Sequence, residues 1–304
     1  MRFSVRHDTL YRYNTPVGLA PHLLRLTPRA ERVRMLASHL TVQPVPTARQ
    51  ESVDRFGNRI TQVSFDGLSH LLHVESYFDL EISAPTPLRD SELPQLPWLC
   101  RPQGVPADYW PGDRQDQAVQ GFAQTLASES GWAALPFLEH LSQTLFRRFH
   151  RLNRIEGAAQ APARTLATGR GACRDLTVLF MAACRSLGIA ARFVSGYQAH
   201  ADAPDGNRHL HAWPEVFLPD AGWRGFDPTH GIAVTDGHVA LCAAPDQAAT
   251  MPIEGSFYGN GVTATLDYRV RIATPPVFTR PTLGPVNTNA ANNLIPKDPI
   301  IGHS

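Results

Sequence analysis

Cysteine is scarce in this sequence. Its 304 residues include four, Cys100, Cys173, Cys184 and Cys242, and no two of them are spaced as Cys-x-x-Cys. A small domain held together by disulfides carries many more cysteines for its length. The sequence therefore excludes a disulfide scaffold and predicts a protein of a reducing compartment, the cytoplasm.

An excess of charge is also missing. The 28 Lys and Arg residues nearly balance the 27 Asp and Glu residues, for a net charge of +1. This balance provides no overall field to attract nucleic acid or an anionic membrane. No run of about 18 apolar residues occurs, and the alternating N-terminus lacks the apolar segment of a signal peptide. We therefore expect neither a nucleic-acid partner nor a membrane partner.

Two-residue alternation, the mark of half-buried strands, runs through the first 88 residues. Phe3, Val5 and His7 alternate with more polar neighbours, and residues 71–82 (LLHVESYFDLEI) repeat the pattern. The segment 55–59 places a Gly-Asn turn between apolar stretches, as in a hairpin. The pattern predicts an all-β N-terminal domain over residues 1–88, as a sandwich or a partly open barrel.

The periodicity changes after a proline-rich segment, residues 89–115, which we interpret as a linker because proline removes backbone donors and fixes φ. Residues 116–274 show leucines at helical spacing and an amphipathic helix from Leu176 to Leu187 that Gly188 ends. Strands are predicted over 191–197, 212–218 and 223–227, and alternation over 262–272 predicts a terminal strand of this core. Residues 275–304 are rich in Pro, Asn and Thr and predict an irregular tail. The fold class is α+β.

Cys173 lies where a reactive thiol is physically favoured. It follows Gly169-Arg-Gly171-Ala and directly precedes the amphipathic helix, and a helix N-terminus stabilises the thiolate that acts as nucleophile. Such a thiol needs a base, usually His, and a carboxylate that orients the base. His211 and Asp227 can fill these roles if their strands are adjacent, because a turn signal lies within the 16 residues between them.

Three segments together resemble the transglutaminase-like superfamily of papain-like thiol enzymes, in its bacterial branch. They are Gly171-Ala-Cys173-Arg-Asp175, His211-Ala-Trp213-Pro-Glu215-Val216 and Gly222-Trp-Arg-Gly-Phe-Asp227-Pro-Thr229. The resemblance covers roughly residues 140–235. Residues 1–85 are similar to the β-rich region that precedes this core in many bacterial members, through residues 2–13 and the turn 54–58. The resemblance implies a papain/transglutaminase-like core, with helices packed on an antiparallel sheet, after the all-β domain.

The resemblance also implies roles for individual residues. Cys173 would be the nucleophile, His211 the general base and then acid, and Asp227 the orienting residue. Because it lies at a helix start, the Cys173 backbone amide is a natural oxyanion donor, and Trp213 is expected in the site wall or in the core. A side-chain oxyanion donor stays unassigned among Gln160, Gln143 and Asn153. Pro214 departs from the family pattern, and it predicts that its strand lies at an edge or turns its amide outward at this point.

Several neighbouring residues have simpler explanations. Asp175 is expected to cap or brace the helix start, and His209 to lie at the site rim or in solvent. A zinc site formed by His209, His211 and Cys173 lacks a clear fourth ligand. The acidic loop 202–207 lacks the spacing of a calcium loop and predicts a solvated turn. We therefore expect no metal and no other cofactor.

These observations predict an enzyme that acts on a peptide or protein amide through a Cys thioester. Hydrolysis, as in a cysteine protease or amidase, is favoured over transamidation because water is always present and no amine site is evident. The alternative is a binding or assembly module that retains the three residues while its N-terminal domain holds a partner. The sequence leaves the substrate and the oligomeric state open.

Overall fold

The fold was obtained as a computed structural model, which describes residues 1–88, 93–101, 104–110, 116–154, 157–199 and 209–274. The chain has the predicted α+β fold, with a β-rich N-terminal part followed by helices packed on an antiparallel sheet. The predicted tail, residues 275–304, and the acidic loop 202–207 lie outside these ranges.

Two antiparallel sheets form the N-terminal part. Its long strands alternate between buried and exposed side chains, so that one face of each supplies the core. The larger sheet has the order β15-β1-β6-β3, with β16 also beside β1, and the smaller has the order β14-β2-β5-β4. Their strands are β1 (Arg2–Leu19), β2 (His22–Leu24), β3 (Val33–Gln43), β4 (Ala48–Val53), β5 (Arg59–Ser64), β6 (Ser69–Ile82), β14 (Ile253–Glu254), β15 (Phe257–Tyr258) and β16 (Ala264–Ala273).

The last of these strands differs from its predicted placement. The alternation over 262–272 does form a strand, β16. This strand pairs with β1 from Ser4 to Tyr13, so it belongs to the N-terminal sheet and not to the sheet of the predicted core. Alternation defines which side chains share a face of a strand, but it carries no information about which strand lies beside it. The chain therefore begins and ends its described part in the same sheet.

The second part is a five-stranded antiparallel sheet, ordered β12-β11-β10-β9-β13, with helices on one face. No helix in the described ranges is long and apolar enough to span a membrane. The strands are β9 (Ala191–Gln198), β10 (His211–Leu218), β11 (Gly222–Asp227), β12 (Ile232–Ala233) and β13 (His238–Ala244), beside a short parallel pair β7 (His150–Arg151) and β8 (Arg170–Gly171). The helices are α1 (Gln117–Glu129), α2 (Ala134–Arg148), α3 (Pro162–Thr168) and α4 (Cys173–Ser186).

Helix α4 is central to this part. Its buried face, which includes Leu176, Leu179 and Phe180, packs against β10 and the other helices. Gly188 ends the helical segment with φ +79°, and a side chain there would collide with the Trp98 carbonyl oxygen. The described parts of the proline-rich segment contain no strand and only one 3₁₀ turn, Ala107–Tyr109. That segment nevertheless packs on the core, because the Trp98 N–H donates to the Leu187 carbonyl at 2.9 Å.

Asn58 joins the two parts of the chain. Its side chain is fully buried, donates Nδ2 to the Ala243 carbonyl at 2.9 Å and accepts the Ala243 N–H on Oδ1 at 2.8 Å. Asp54 holds the turn that presents it, by accepting the N–H groups of Phe56 and Asn58. The Asn58 amide thus pairs with β13 as a neighbouring strand would. A shared apolar cluster, in which Tyr197 contributes from β9, completes the contact.

Replacing Asn58 with Ala leaves both backbone groups of Ala243 buried without their partner. We expect the Asn58→Ala variant to lose about 2–4 kcal/mol of unfolding free energy, since each unsatisfied buried group costs roughly 1–3 kcal/mol. Urea unfolding measures this loss. The matched control is Asn14→Ala, whose exposed side chain also accepts a backbone N–H, from Thr263, and should cost less than about 1 kcal/mol. Equal losses in the two variants would contradict the role given to Asn58.

Candidate active site

Cys173 is the first residue of α4. The helix is 14 residues long, so the thiol lies at the end where unpaired N–H groups and the helix dipole favour negative charge. Its side chain is partly exposed, whereas Cys184 and Cys242 are buried and Cys100 is exposed. Burial raises the pKa of Cys242 to about 12 and that of Cys184 well above its ordinary value. Cys173 is therefore the cysteine whose surroundings combine access with an environment for a thiolate.

Asp175 braces the loop that carries Cys173. Its fully buried carboxylate accepts the Ala172 N–H at 2.8 Å, the backbone N–H and side-chain amide of Gln160 at 2.8 and 3.0 Å, and Arg154 at 2.6 Å. Gly171 must be glycine here, because a Cβ would lie 2.9 Å from that of Asp175. Burial opposes ionisation of Asp175, but these donors hold its pKa below the ordinary value. The position matches the expected helix brace.

His211 and Asp227 meet beyond the ends of the paired parts of β10 and β11. These strands are antiparallel neighbours, joined through a turn in which Asp220 and Gly222 have positive φ. Nε2 of His211 lies 2.8 Å from Oδ2 of Asp227. His211 also lies close enough to Cys173 for the two side chains to shift each other's pKa. Because Nε2 is committed to Asp227, Nδ1 is the nitrogen that serves the thiol. The structure thus brings together all three residues that the motifs singled out.

The three residues shift one another's protonation. Burial disfavours charge on each, but the negative charge and hydrogen bond of Asp227 raise the pKa of His211 to about 10. The hydrogen bond and charge of His211 lower the pKa of Cys173, against the effect of burial. The pKa of Asp227 falls well below its usual range through the charge of His211 and the bonds from its neighbours. These shifts all favour the charged forms, which are a thiolate, an imidazolium and a carboxylate.

Pro214 has a consequence for the thiol. Its strand β10 is not at an edge, since it lies between β9 and β11, so this part of the prediction is wrong. Its ring nitrogen faces β11, however, and pairing with β11 stops at Glu215. The Pro214 nitrogen therefore lies where β11 no longer pairs with β10, so its missing N–H costs no ladder bond. Beyond this point the Ala212 N–H also has no strand partner on β11, and it helps to lower the pKa of Cys173.

Two histidines that the sequence analysis did not single out also reach Asp227. His230 donates from Nδ1 at 2.8 Å and His238 from Nε2 at 3.1 Å, both to Oδ2. Oδ1 accepts the Thr229 N–H at 3.0 Å. His230 could have been suspected because it follows Asp227 by three residues. His238 lies on β13, and nothing in the local sequence marks it.

Trp213 and His209 lie beside the three residues. Trp213 is buried, and its ring packs against His238 with centroids 5.2 Å apart and against His211 at 6.1 Å. It therefore supports the histidines from within the core. His209 is hydrogen bonded through Nδ1 to the Tyr268 hydroxyl at 2.6 Å. Because Tyr268 belongs to β16, the N-terminal sheet contributes directly to the surroundings of the site.

The three residues considered as side-chain oxyanion donors occupy different places. Gln160 donates to Asp175, and Gln143 donates to the Gly231 carbonyl. Asn153 is exposed and lies just after β7. These bonds assign Gln160 and Gln143 to bracing roles, and the backbone N–H groups at the start of α4 are candidate oxyanion donors beside them.

Within the described residues, two groups of side chains are close enough to share a metal ion. One is His211, Asp227 and His230, and the other is Asp8, His73 and Glu75. In the first, both histidines are already bonded to Asp227. In the second, Asp8 bonds to His73, and Glu75 to Arg6. Hydrogen bonds and ion pairs within the chain account for both groups.

Comparison with known proteins shows which family and which fold this chain resembles. Residues 137–228 match the transglutaminase-like superfamily, and residues 3–81 match the bacterial transglutaminase-like N-terminal region. A candidate cysteine protease from Cytophaga hutchinsonii has a similar structure, with a TM-score of 0.70, 20% identity and coverage of 92% of both chains. An uncharacterised Mycobacterium tuberculosis protein is 29% identical over 89% of this chain and 92% of its own length. A protein-glutamine gamma-glutamyltransferase of Pseudomonas aeruginosa is 38% identical over 72 residues, 22% of this chain and 11% of its own length.

Removing the brace at the start of α4 should destabilise the fold. Asp175→Ala deprives one buried and three partly buried donor groups of their acceptor, and we expect a loss of about 2–4 kcal/mol in unfolding free energy at pH 7. Because the pKa of Asp175 is depressed in the fold, this contribution should fade as pH falls below the ordinary value of about 4. The control is Asp116→Ala, the exposed N-cap of α1, for which about 1 kcal/mol is typical. A loss no larger than the control's would count against the brace.

The pH dependence of the alkylation rate at each cysteine tests whether Cys173 ionises more readily than the others. A lowered pKa means that Cys173 stays ionised below the ordinary thiol value of about 8.5, so iodoacetamide should label it at pH 6 at least about tenfold faster than exposed Cys100. His211→Ala should move the labelling midpoint of Cys173 up toward that ordinary value. His39→Ala, which removes an exposed histidine of β3, serves as the control and should change nothing. Mass spectrometry reports each site separately, and identical profiles for Cys173 and Cys100 would refute an activated thiol.

Proposed function

The chain belongs to the transglutaminase-like superfamily, and we propose that it is a thiol enzyme that forms a thioester between Cys173 and the acyl group of a peptide or protein amide. One observation carries the proposal: a partly exposed Cys173 at a helix start has its pKa lowered by His211, which is itself bonded to buried Asp227 at 2.8 Å. A nucleophile, a base and an orienting carboxylate in this order are the parts that acyl transfer requires.

The proposed reaction has two halves. In the first, the Cys173 thiolate attacks the amide carbonyl carbon, and N–H groups at the start of α4 stabilise the oxyanion that forms. The C–N bond then breaks as the His211 imidazolium gives its proton to the leaving amine, which leaves a thioester and a neutral imidazole. In the second, His211 takes a proton from water as water attacks the thioester. The carboxylic acid leaves, and the thiolate–imidazolium pair is restored.

Hydrolysis is the preferred second half. Water requires no dedicated site, and the C. hutchinsonii protein with a similar fold is a candidate cysteine protease. Transamidation is the second candidate, in which a primary amine replaces water. The segment shared with the P. aeruginosa gamma-glutamyltransferase favours it. Both reactions use the same thioester, so they differ only in what enters the site after the first amine has left.

The decisive experiment measures amide turnover on a library of peptides and proteins, with a fluorescent primary amine present to detect transfer. We expect Cys173→Ala to lower turnover by at least roughly 1,000-fold, as loss of a nucleophile does in other acyl-transfer enzymes. Cys100→Ala is the matched control and should retain wild-type turnover. Free carboxylate as the main product supports hydrolysis, and amine incorporation supports transamidation.

Retention of turnover in Cys173→Ala would refute the proposal that the enzyme acts through a thioester on Cys173. No turnover on the whole library, together with a partner that binds wild type and Cys173→Ala equally in a pull-down, would instead support the binding-module alternative.

A further inference from the structure

Three imidazoles converge on a single carboxylate oxygen. Oδ2 of Asp227 lies 2.8 Å from Nε2 of His211, 2.8 Å from Nδ1 of His230 and 3.1 Å from Nε2 of His238. An ionised carboxylate can only accept, so each histidine must carry a proton on the nitrogen that faces it. The other oxygen accepts the Thr229 N–H. Asp227 therefore cannot rotate without losing several hydrogen bonds at once.

Of the two additional donors to Asp227, His238 is the more deeply buried. Its side chain is 1% exposed, against 20% for His230. The titratable groups that face it are Asp227 on β11, His211 on β10 and His230 in the following turn, and the Trp213 ring packs against it from β10. Burial lowers the pKa of His238 below its ordinary value. It is thus a neutral donor to Asp227, beside an imidazolium that carries the positive charge.

The strand that carries His238 is held from both sides. On one side β13 pairs with β9, so closely that a Cβ on Gly196 would lie 2.1 Å from the Val239 carbonyl oxygen. On the other side the N-terminal part bonds to it, through Arg29 N–H to the Ala240 carbonyl at 2.9 Å and through the Asn58 amide to Ala243. The position of His238 is therefore set by the packing of the two parts of the chain.

We propose that His238 is a positioning residue, which holds the Asp227 carboxylate in the orientation that presents His211 to Cys173. This inference rests on the proposed function. During the reaction His211 gives up its proton, and Asp227 then loses the positive charge beside it. The N–H groups of His238 and His230 remain on the carboxylate through that interval. They keep it ionised and aimed, so that His211 recovers its place when it takes the next proton.

The test compares His238→Phe, His238→Gln and wild type by the pH profile of Cys173 alkylation. Phe keeps an aromatic ring against Trp213 but donates nothing, and Gln places an N–H donor about as far from the backbone as Nε2 of His. Without the donor, Asp227 holds the imidazolium less well, so the pKa of Cys173 should rise and that of His211 should fall. We expect His238→Phe to label about tenfold more slowly at pH 6, as loss of a hydrogen bond to a charged group predicts. His238→Gln should recover to within about threefold of wild type.

His7→Phe is the matched control, because His7 is another buried histidine. It lies on β1 of the N-terminal part and is bonded to the hydroxyl of Tyr197 on β9 at 2.7 Å. Circular dichroism selects the folded variants. As a second measurement, the NMR resonance of the His211 proton bonded to Asp227 should broaden or move in His238→Phe and persist in His238→Gln and His7→Phe.

The outcomes separate the inference from the function on which it rests. Wild-type Cys173 that labels no faster than Cys100 would overturn both. Fast wild-type labelling that is unchanged in His238→Phe would overturn the positioning role alone. So would equal slowing in His238→Phe and His238→Gln, which would mean that packing matters and the hydrogen bond does not, or equal slowing in His7→Phe. If His238→Phe does not fold, a His238→Gln profile more than about tenfold slower than wild type would overturn the inference, and one within about threefold would support it.

Discussion

An ionised carboxylate buried beneath the protein surface imposes the main constraint on this structure. Asp227 has no exposed side-chain area, and a charge in such a place is costly unless it is paired and fully hydrogen bonded. The imidazolium of His211 supplies the pairing, and its remaining nitrogen connects that charge to the Cys173 thiol. Strands β10, β11 and β13 and the start of α4 must all be in place for this chain of contacts to exist. The environment of the thiol is thus a property of the whole core.

The parts of the site that could be predicted from sequence are those set by local geometry. Glycines before an amphipathic helix place Cys173 at its start, and Asp175 two residues later can reach back only to the loop that it braces. The turn between β10 and β11 makes these strands neighbours, so His211 and Asp227 had to lie near each other. Each of these inferences depends on a stretch of chain whose own pattern contains the answer.

The features that the sequence did not predict depend on which strand lies beside which. Alternation over 262–272 predicted a strand, but pairing with β1 follows from packing against residues more than 250 positions away. His238 reaches Asp227 for a similar reason, because β13 lies across β9 from β10. The interpretation of Pro214 was only partly right. It correctly indicated a position without a ladder bond, yet an interior strand can tolerate proline where its neighbour has already diverged.

The pairing of Asn58 with Ala243 also bears on how the core behaves when separated from the rest. β13 ends its sheet, and its outer side is occupied by Asn58 and the Arg29 backbone. An unprotected sheet edge is a template for another copy of the same strand. A fragment that retained only the core would expose that edge together with the apolar side chains of Tyr197, Val239 and Leu241. The N-terminal part therefore covers a sheet edge of the kind that favours aggregation when it is exposed.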